Sequence, residues 1–298
     1  MGPLIWESRP ESLRAPAVVC AFTGWNDAGD AASAALRFFG TAVGAHRIAH
    51  IDPEEFYDFQ ETRPRIEVSE SSTREVCWPT VEVYAAQVSG APRDLILLSG
   101  PEPNHRWRTF SKLVTDLADE FQAGLTVTLG ALLADVPHSR PVAISGISSD
   151  DRLVEELNLL PTTYEGPTGI TGVVHAACHE AGLPSASLWA SVPHYVAAAP
   201  NPKAALALVR KLETLIGFTI DATELEDATA DYERQISLAV QSDPDVMEFV
   251  ERLERAAEEQ DEEEAAEAAS RAMADPMQLP DGDALASQFQ RFLRQQDH

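Results

Sequence analysis

Residues 17–40 read AVVCAFTGWNDAGDAASAALRFFG, and this stretch decides the fold class. Ala17–Phe22 is an unbroken apolar run of strand length, the pattern of a strand covered on both faces. Beyond the loop Thr23–Asp27, Ala28, Ala31, Ala32, Ala35, Leu36 and Phe39 recur at helical spacing and form one apolar face. Gly40 stands where a helix C-cap is expected. The small residues on that face let the helix lie close against a sheet.

Outward from this unit the same alternation repeats. Asp94–Ser99 (DLILLS) is the clearest strand, and Phe110, Leu113, Val114, Leu117 and Phe121 give the next helical face. Leu125–Leu129 and Pro141–Ser145 read as strands, Thr171–Ala181 as a helix, Ser185–Val192 as a strand and Pro202–Gly217 as a helix. Such β–α alternation implies an α/β fold: a mixed, mostly parallel sheet flanked by helices, with ligand sites at the carboxyl ends of its strands. Residues 45–90 break the rhythm, and the alternation in Arg65–Ser69 and Val81–Val88 suggests antiparallel strands or a hairpin insertion. The expected organisation is an α/β domain over 1–220 and a helical appendage over 221–298. In the appendage, Leu225–Ala239 is an amphipathic helix, and Asp243-Pro244 opens a second helix as N-cap and first position. EEQDEEEAAE at 258–267 reads as a solvated face or linker. Asp275–Asp283 is a break before a short final helix carrying Leu285, Phe289, Phe292 and Leu293.

The 298 residues carry 48 acidic and 22 basic side chains, a formal net charge of −26. Residues 221–298 hold a net of −16 and residues 1–220 a net of −10. That balance excludes a phosphate-backbone binder, which needs clustered Lys and Arg, and for the same reason an anionic-membrane surface protein. No apolar run approaches the roughly 20 residues of a membrane span, and no leader pattern opens the chain. Cys20, Cys77 and Cys178 are odd in number, far apart and form no CxxC pair, so no disulfide framework is expected and a reducing cytoplasm is the natural setting.

Four loops and one strand end hold the residues suited to a ligand or partner surface. Gly24, Trp25, Asn26 and Asp27 join a strand to a helix N-terminus, where backbone N–H groups favour an anion. This is neither GxGxxG nor a P-loop, and Asp27 and Asp30 fit equally well as helix caps. Tyr57 and Arg63 belong to YDFQETRP at 57–64. Glu102, Pro103 and Arg106 follow the clearest strand, where Glu102 and His105 have acid–base chemistry and Pro101 and Pro103 fix the turn. Glu165, Gly166, Thr168 and Gly169 precede a helix, and the glycines permit close backbone approach. His194 lies in SVPHYV at 191–196, just beyond a later strand. His175 and His179 stand four apart on a helix, but HxxCH lacks the Glu of HExxH and a third ligand, so no metal is expected. There is no GxSxG elbow. No catalytic residue and no cofactor are assigned.

Taken in order, GWNDAGDAA at 24–32, YDFQETRP at 57–64, GPEPNHRWRTF at 100–110, VPHSRPVAISG at 136–146, YEGPTGITG at 164–172 and SVPHYV at 191–196 resemble the proteasome assembly chaperone two family in its actinobacterial branch. The similarity spans about residues 10–220 and, more weakly, LPDGDALASQFQRFLR at 279–294. It implies a fold similar to nucleoside phosphorylases and hydrolases, an α/β sandwich around a mixed, curved sheet. It also implies a role like that of eukaryotic relatives, which help assemble proteasome rings. Those chaperones bind through short C-terminal motifs containing Tyr; Gln295-Gln296-Asp297-His298 departs from that pattern and argues against docking by that route.

Two functions follow as expectations. One is a non-enzymatic oligomeric protein acting in complex assembly or as a scaffold, with itself and proteasome subunits or another complex as partners. A homo-oligomer, a trimer among the candidates, is expected because phosphorylase-like folds commonly self-associate. The other is a nucleoside- or phosphate-type small-molecule binder, hydrolase or transferase using the strand-end loops. A third use, the acidic helix as a docking arm for a basic partner, rests on charge alone.

Overall fold

The computed structural model describes residues 2–10, 12–68, 73–157, 159, 164–196 and 199–274. Its elements run β1 (Leu4–Trp6), β2 (Ala17–Thr23), α1 (Ala31–Ala42), β3 (His46–Ile51), β4 (Arg65–Val68), β5 (Arg74–Cys77), β6 (Glu82–Ala86), β7 (Leu95–Pro101), α2 (Trp107–Glu120), β8 (Leu125–Ala134), β9 (Ile144–Ser148), α3 (Asp151–Glu156), α4 (Ile170–Glu180), β10 (Ser185–Pro193), α5 (Pro202–Ile216), α6 (Thr223–Gln241) and α7 (Pro244–Ala274). The chain divides into two compact units, one over residues 1–250 and a second that begins at Glu251. The break at 275–283 and the final helix expected from the sequence lie outside the described residues.

Eight strands form one mixed sheet in the order β1-β3-β6-β7-β2-β8-β10-β9. The four central strands β7, β2, β8 and β10 are parallel. The pairings on either side, β1–β3, β3–β6, β6–β7 and β10–β9, are antiparallel. The parallel character expected from β–α alternation therefore belongs to the centre. There each crossover needs a helix, as α2 between β7 and β8, while of the antiparallel pairs only β6–β7 is joined by a short connection.

β2 shows why the centre forms. Ala17, Val19 and Ala21 point to one face, into a core shared with α1 and α5, where Leu36, Phe39, Leu208 and Leu212 are buried. Val18, Cys20 and Phe22 point to the other, into a core with Phe110 and Val114 of α2 and Val174 of α4. A strand alternates its side chains between faces, so a strand covered on both sides must be apolar throughout. The alanines of α1 sit on the sheet side, and Ala31, Ala32 and Ala35 are fully buried. α5 starts at Asn201, whose side chain accepts from Ala204 N, with Pro202 next, and ends at Gly217 in the left-handed region (φ 69°).

Several boundaries differ from the sequence expectation for physical reasons. α1 begins at Ala31, because Gly29 is left-handed (φ 62°) and ends a separate single turn over Ala28–Asp30. The strand expected at Pro141–Ser145 is β9 at Ile144–Ser148, an antiparallel edge strand paired from Ile144↔Ala190 to Ser148↔Ala186. Proline has no N–H to give to a ladder. β3 (HRIAHI) has no strand signature in the sequence because His46 and Arg47 are exposed and His50 half-buried, so only Ile48, Ala49 and Ile51 are core. The hairpin insertion exists: β4 pairs antiparallel with β5 as a separate ribbon, whereas β6 joins the main sheet. α7 opens as expected, with Asp243 Oδ1 accepting from Asp245 N and Val246 N, and helix continues through 258–267.

Candidate functional site

The carboxyl ends of β2 and β7 lie side by side, paired from Ala17↔Leu95 to Thr23↔Pro101. Three further segments meet there. The centre of the junction is the Glu102 carboxylate. Its Oε1 accepts from Asn26 Nδ2 at 2.9 Å and from the Ile170 backbone N–H at 2.7 Å. Glu102 thus caps α4 from a distant loop, placing negative charge at a helix N-terminus. Its own N–H donates to Thr23 O at 2.8 Å. Gly24 (φ 131°) passes over it, where a Cβ would stand 3.4 Å from the Glu102 Cβ. Gly169 is required for closeness: a Cβ there would lie 2.0 Å from Asn26 Nδ2. Asn26 is 1 % exposed, and its Oδ1 is buried without a hydrogen-bond partner.

Asp27 is buried as well, and its Oδ1 accepts from Ala32 N at 2.7 Å and Ser33 N at 3.3 Å. Its side chain thus does the capping of α1, whose own N-cap residue, Asp30, accepts no such bond. Burial pushes the Asp27 carboxyl above the usual range, against hydrogen bonds that pull the other way. The segment at 57–64 is sewn to the same edge. Tyr57 OH donates to Pro101 O at 2.7 Å, and burial pushes its phenol up. Asn104 Oδ1 accepts from Asp58 N and Thr62 Oγ1, and His105 N donates to Phe56 O. Pro103 is buried and its carbonyl accepts from Trp107 Nε1, while Arg106 (φ 54°) pairs with Glu55 at 2.7 Å.

The structure therefore joins Gly24, Asn26, Glu102 and Gly169 in one knot and ties Tyr57 and Pro103 beside it. It leaves Trp25, Arg63, Glu165, Gly166 and Thr168 exposed around that knot. His194 follows β10 but stands apart: its Nδ1 pairs with Asp135 at 2.9 Å, and its ring packs edge-on against Tyr195 and Phe249. Among the described residues no three His, Cys, Asp or Glu side chains group as a metal site. His175 is half-buried, and burial, then His179, hold its imidazole below the usual pKa. Cys20, Cys77 and Cys178 are free thiols.

Two further features complete the surface. The first is the ribbon β4–β5, the hairpin insertion suggested by the alternation in Arg65–Ser69, in the register Ile66↔Val76 and Val68↔Arg74 on one face and Arg65↔Cys77 and Glu67↔Glu75 on the other. Ile66, Val68 and Val76 are 65 %, 65 % and 52 % exposed. The second is a cleft of about 580 Å³ bounded by α1, by β6 and β7, and by the segments on either side of the ribbon. Arg37, Arg63, Arg65, Trp78, Tyr84 and Ser99 are among its lining residues. Arg63 was singled out in the sequence, but its companions come from a helix and a ribbon strand that no motif unites.

The class defined by this architecture is a three-layer α/β body whose strand-end loops bind one another and whose inserted ribbon offers apolar side chains to solvent. Residues 21–240 match the profile of the PAC2 family. The chain belongs to that family. It is similar to a PAC2 family protein from Streptomyces avermitilis MA, with 44% identity over 79% of this chain and 99% of that one and a TM-score of 0.74. It is similar to a proteasome-assembly chaperone homologue from Mycobacterium tuberculosis, with 42% identity over 78% of this chain and 99% of that one and a TM-score of 0.72. An archaeal proteasome activator from Pyrococcus furiosus shares the fold at 17% identity, over 79% of this chain and 97% of that one, with a TM-score of 0.63. No curated protein matches the chain.

Proposed function

We propose that this protein is a non-enzymatic, self-associating factor that acts in the assembly of a protein complex, with proteasome subunits as the first partners to test. The observation that supports this reading most is the apolar face of the β4–β5 ribbon. Ile66, Val68 and Val76 share one side of a two-stranded hairpin that is marginal by itself in water. Their burial against another subunit contributes on the order of 1 kcal/mol each. The mutual hydrogen bonding of the strand-end loops points the same way, since Glu102, Asn26 and Asp27 are spent on holding helices and loops. The 42% identical relative described as a proteasome-assembly chaperone homologue supports the choice of partner. Among the described residues no helix is long and apolar enough to cross a membrane, in keeping with work in the cytoplasm.

The test is co-purification of the tagged full chain from its native lysate, beside the variant Ile66→Glu/Val76→Glu. The proposal expects recovery of one complex, proteasome subunits among its members, and its loss in the variant. Recovery of the same partners by the variant, or of none by either chain together with normal proteasome assembly in a deletion strain, would count against it.

A further inference from the structure

The cleft between α1 and the β6–β7 face concentrates positive charge in a chain whose net charge is −26. Arg37 projects from α1, Arg63 from the loop before the ribbon and Arg65 from β4, and all three line the cavity. Their guanidinium groups have no hydrogen-bond or ion-pair partner among the described residues. The acid in the lining is Glu82, and it is already neutralised: Oε1 pairs with Arg47 Nη1 at 2.6 Å and Oε2 accepts from Tyr84 OH at 2.5 Å. Several arginines elsewhere are paired, Arg9 with Glu120, Arg14 with Asp94, Arg106 with Glu55 and Arg210 with Glu213, and Arg74, Arg93, Arg108 and Arg152, which have no such partner among the described residues, do not line the cleft. Three unpaired guanidinium groups around one concavity, in a protein with an excess of carboxylates, therefore mark a place kept free for an external anion.

The rest of the lining limits the kind of anion. The floor is apolar, made by the buried Leu36 and Leu97. Gly100 lets the segment before β6 close over β7, since a Cβ there would lie 2.3 Å from Thr80 O. Trp78, 51 % exposed and packed on Phe59 at 4.7 Å between ring centres, forms one aromatic wall, and Tyr84 forms another. A volume near 580 Å³ lies within the range of small-molecule sites. Guanidinium forks match carboxylate and phosphate oxygens two at a time.

We infer that this cleft binds a small organic oxyanion, a phosphate or carboxylate carried on an aromatic body. The oxyanion lies among Arg37, Arg63 and Arg65, and the ring lies against Trp78 and Tyr84. The site does not depend on the assembly role proposed above, and it adjoins the Glu102 knot through Thr23 and Pro101 without including the Glu102 carboxylate.

The experiment titrates the full chain with phenyl phosphate, benzoate, inorganic phosphate and phenol at low ionic strength, followed by calorimetry and tryptophan fluorescence. It is repeated with Arg37→Gln/Arg63→Gln/Arg65→Gln and with Arg108→Gln, an exposed arginine outside the cleft. The expected result is one-to-one saturable binding of phenyl phosphate or benzoate, weakened about tenfold or more in the triple variant and unchanged in Arg108→Gln, with phenol inert. Which of the two aromatic anions binds tighter tells phosphate from carboxylate. The three arginines are exposed, so the triple variant is expected to melt as the parent does. No saturation in the millimolar range, equal affinity in the triple variant, or binding of phenol as strong as that of the anions overturns the inference. So does binding of an acidic peptide where both aromatic anions fail.

Discussion

Asp27 and Glu102 show how single carboxylates decide the shape of the strand-end surface. Each satisfies N–H groups at the start of a helix that has no side-chain acceptor at its own first residue. Asp27→Ala is expected to cost about 1–2 kcal/mol, read from chemical unfolding, and Asp27→Asn less, because the amide oxygen keeps the cap. Burial raises the Asp27 pKa in the fold, so its share of stability falls as pH rises from the unfolded value of about 3.9 toward the folded one. Asp27→Asn should remove that slope. Asp94 acts in the opposite sense. Burial pushes its carboxyl up, but bonds from Arg14 and from the Arg14 and Val88 N–H groups outweigh it and leave the pKa below the usual range. Its contribution is therefore complete above about 3.9 and is lost as pH falls through the folded value. Asp94→Ala should lower stability at pH 7 by about 2 kcal/mol and leave little difference from the parent in strong acid. Gly169→Ala meets Asn26 and should cost about 1–3 kcal/mol. In a double-mutant cycle with Asn26→Ala the two losses should fall short of their sum, because the second substitution removes the clash. Additivity would mean that the two loops do not touch.

At the scale of elements, what could be read from sequence follows from how local the cause is. β2, α1, α2 and α5 were legible because full burial writes apolar residues at consecutive or helical positions. β3 was not, since its outer side chains are polar, and β9 was displaced because Pro141 lies before the pairing instead of within it. The individual strand-end loops were legible from their Gly, Pro and aromatic content. Their union was not: the bonds that make it join residues 76 and 68 positions apart. Nor could the sequence show that three arginines from a helix, a loop and a ribbon line one cleft. The ribbon gives the prediction that belongs to this scale. Its apolar face is exposed, so Ile66→Glu/Val76→Glu should leave the melting temperature of the dissociated chain unchanged while weakening self-association. A large drop in melting temperature at concentrations where the parent is dissociated would show that these residues pack within the chain.

For the molecule as a whole, the negative charge is unevenly used. Residues 1–220 carry −10 and residues 221–298 carry −16, with helix running through the acidic stretch 258–267. Acidity at this level keeps a chain soluble and away from polyanions, and it makes the unpaired arginines of the cleft more conspicuous. The central claim is that apolar surface on the ribbon serves association between chains. Light scattering coupled to size exclusion, run on the full chain over a hundredfold range of concentration, tests it most directly. The account predicts a defined homo-oligomer that shifts toward monomer in Ile66→Glu/Val76→Glu. A monomer at every concentration, or an oligomer that the variant leaves intact, would contradict it.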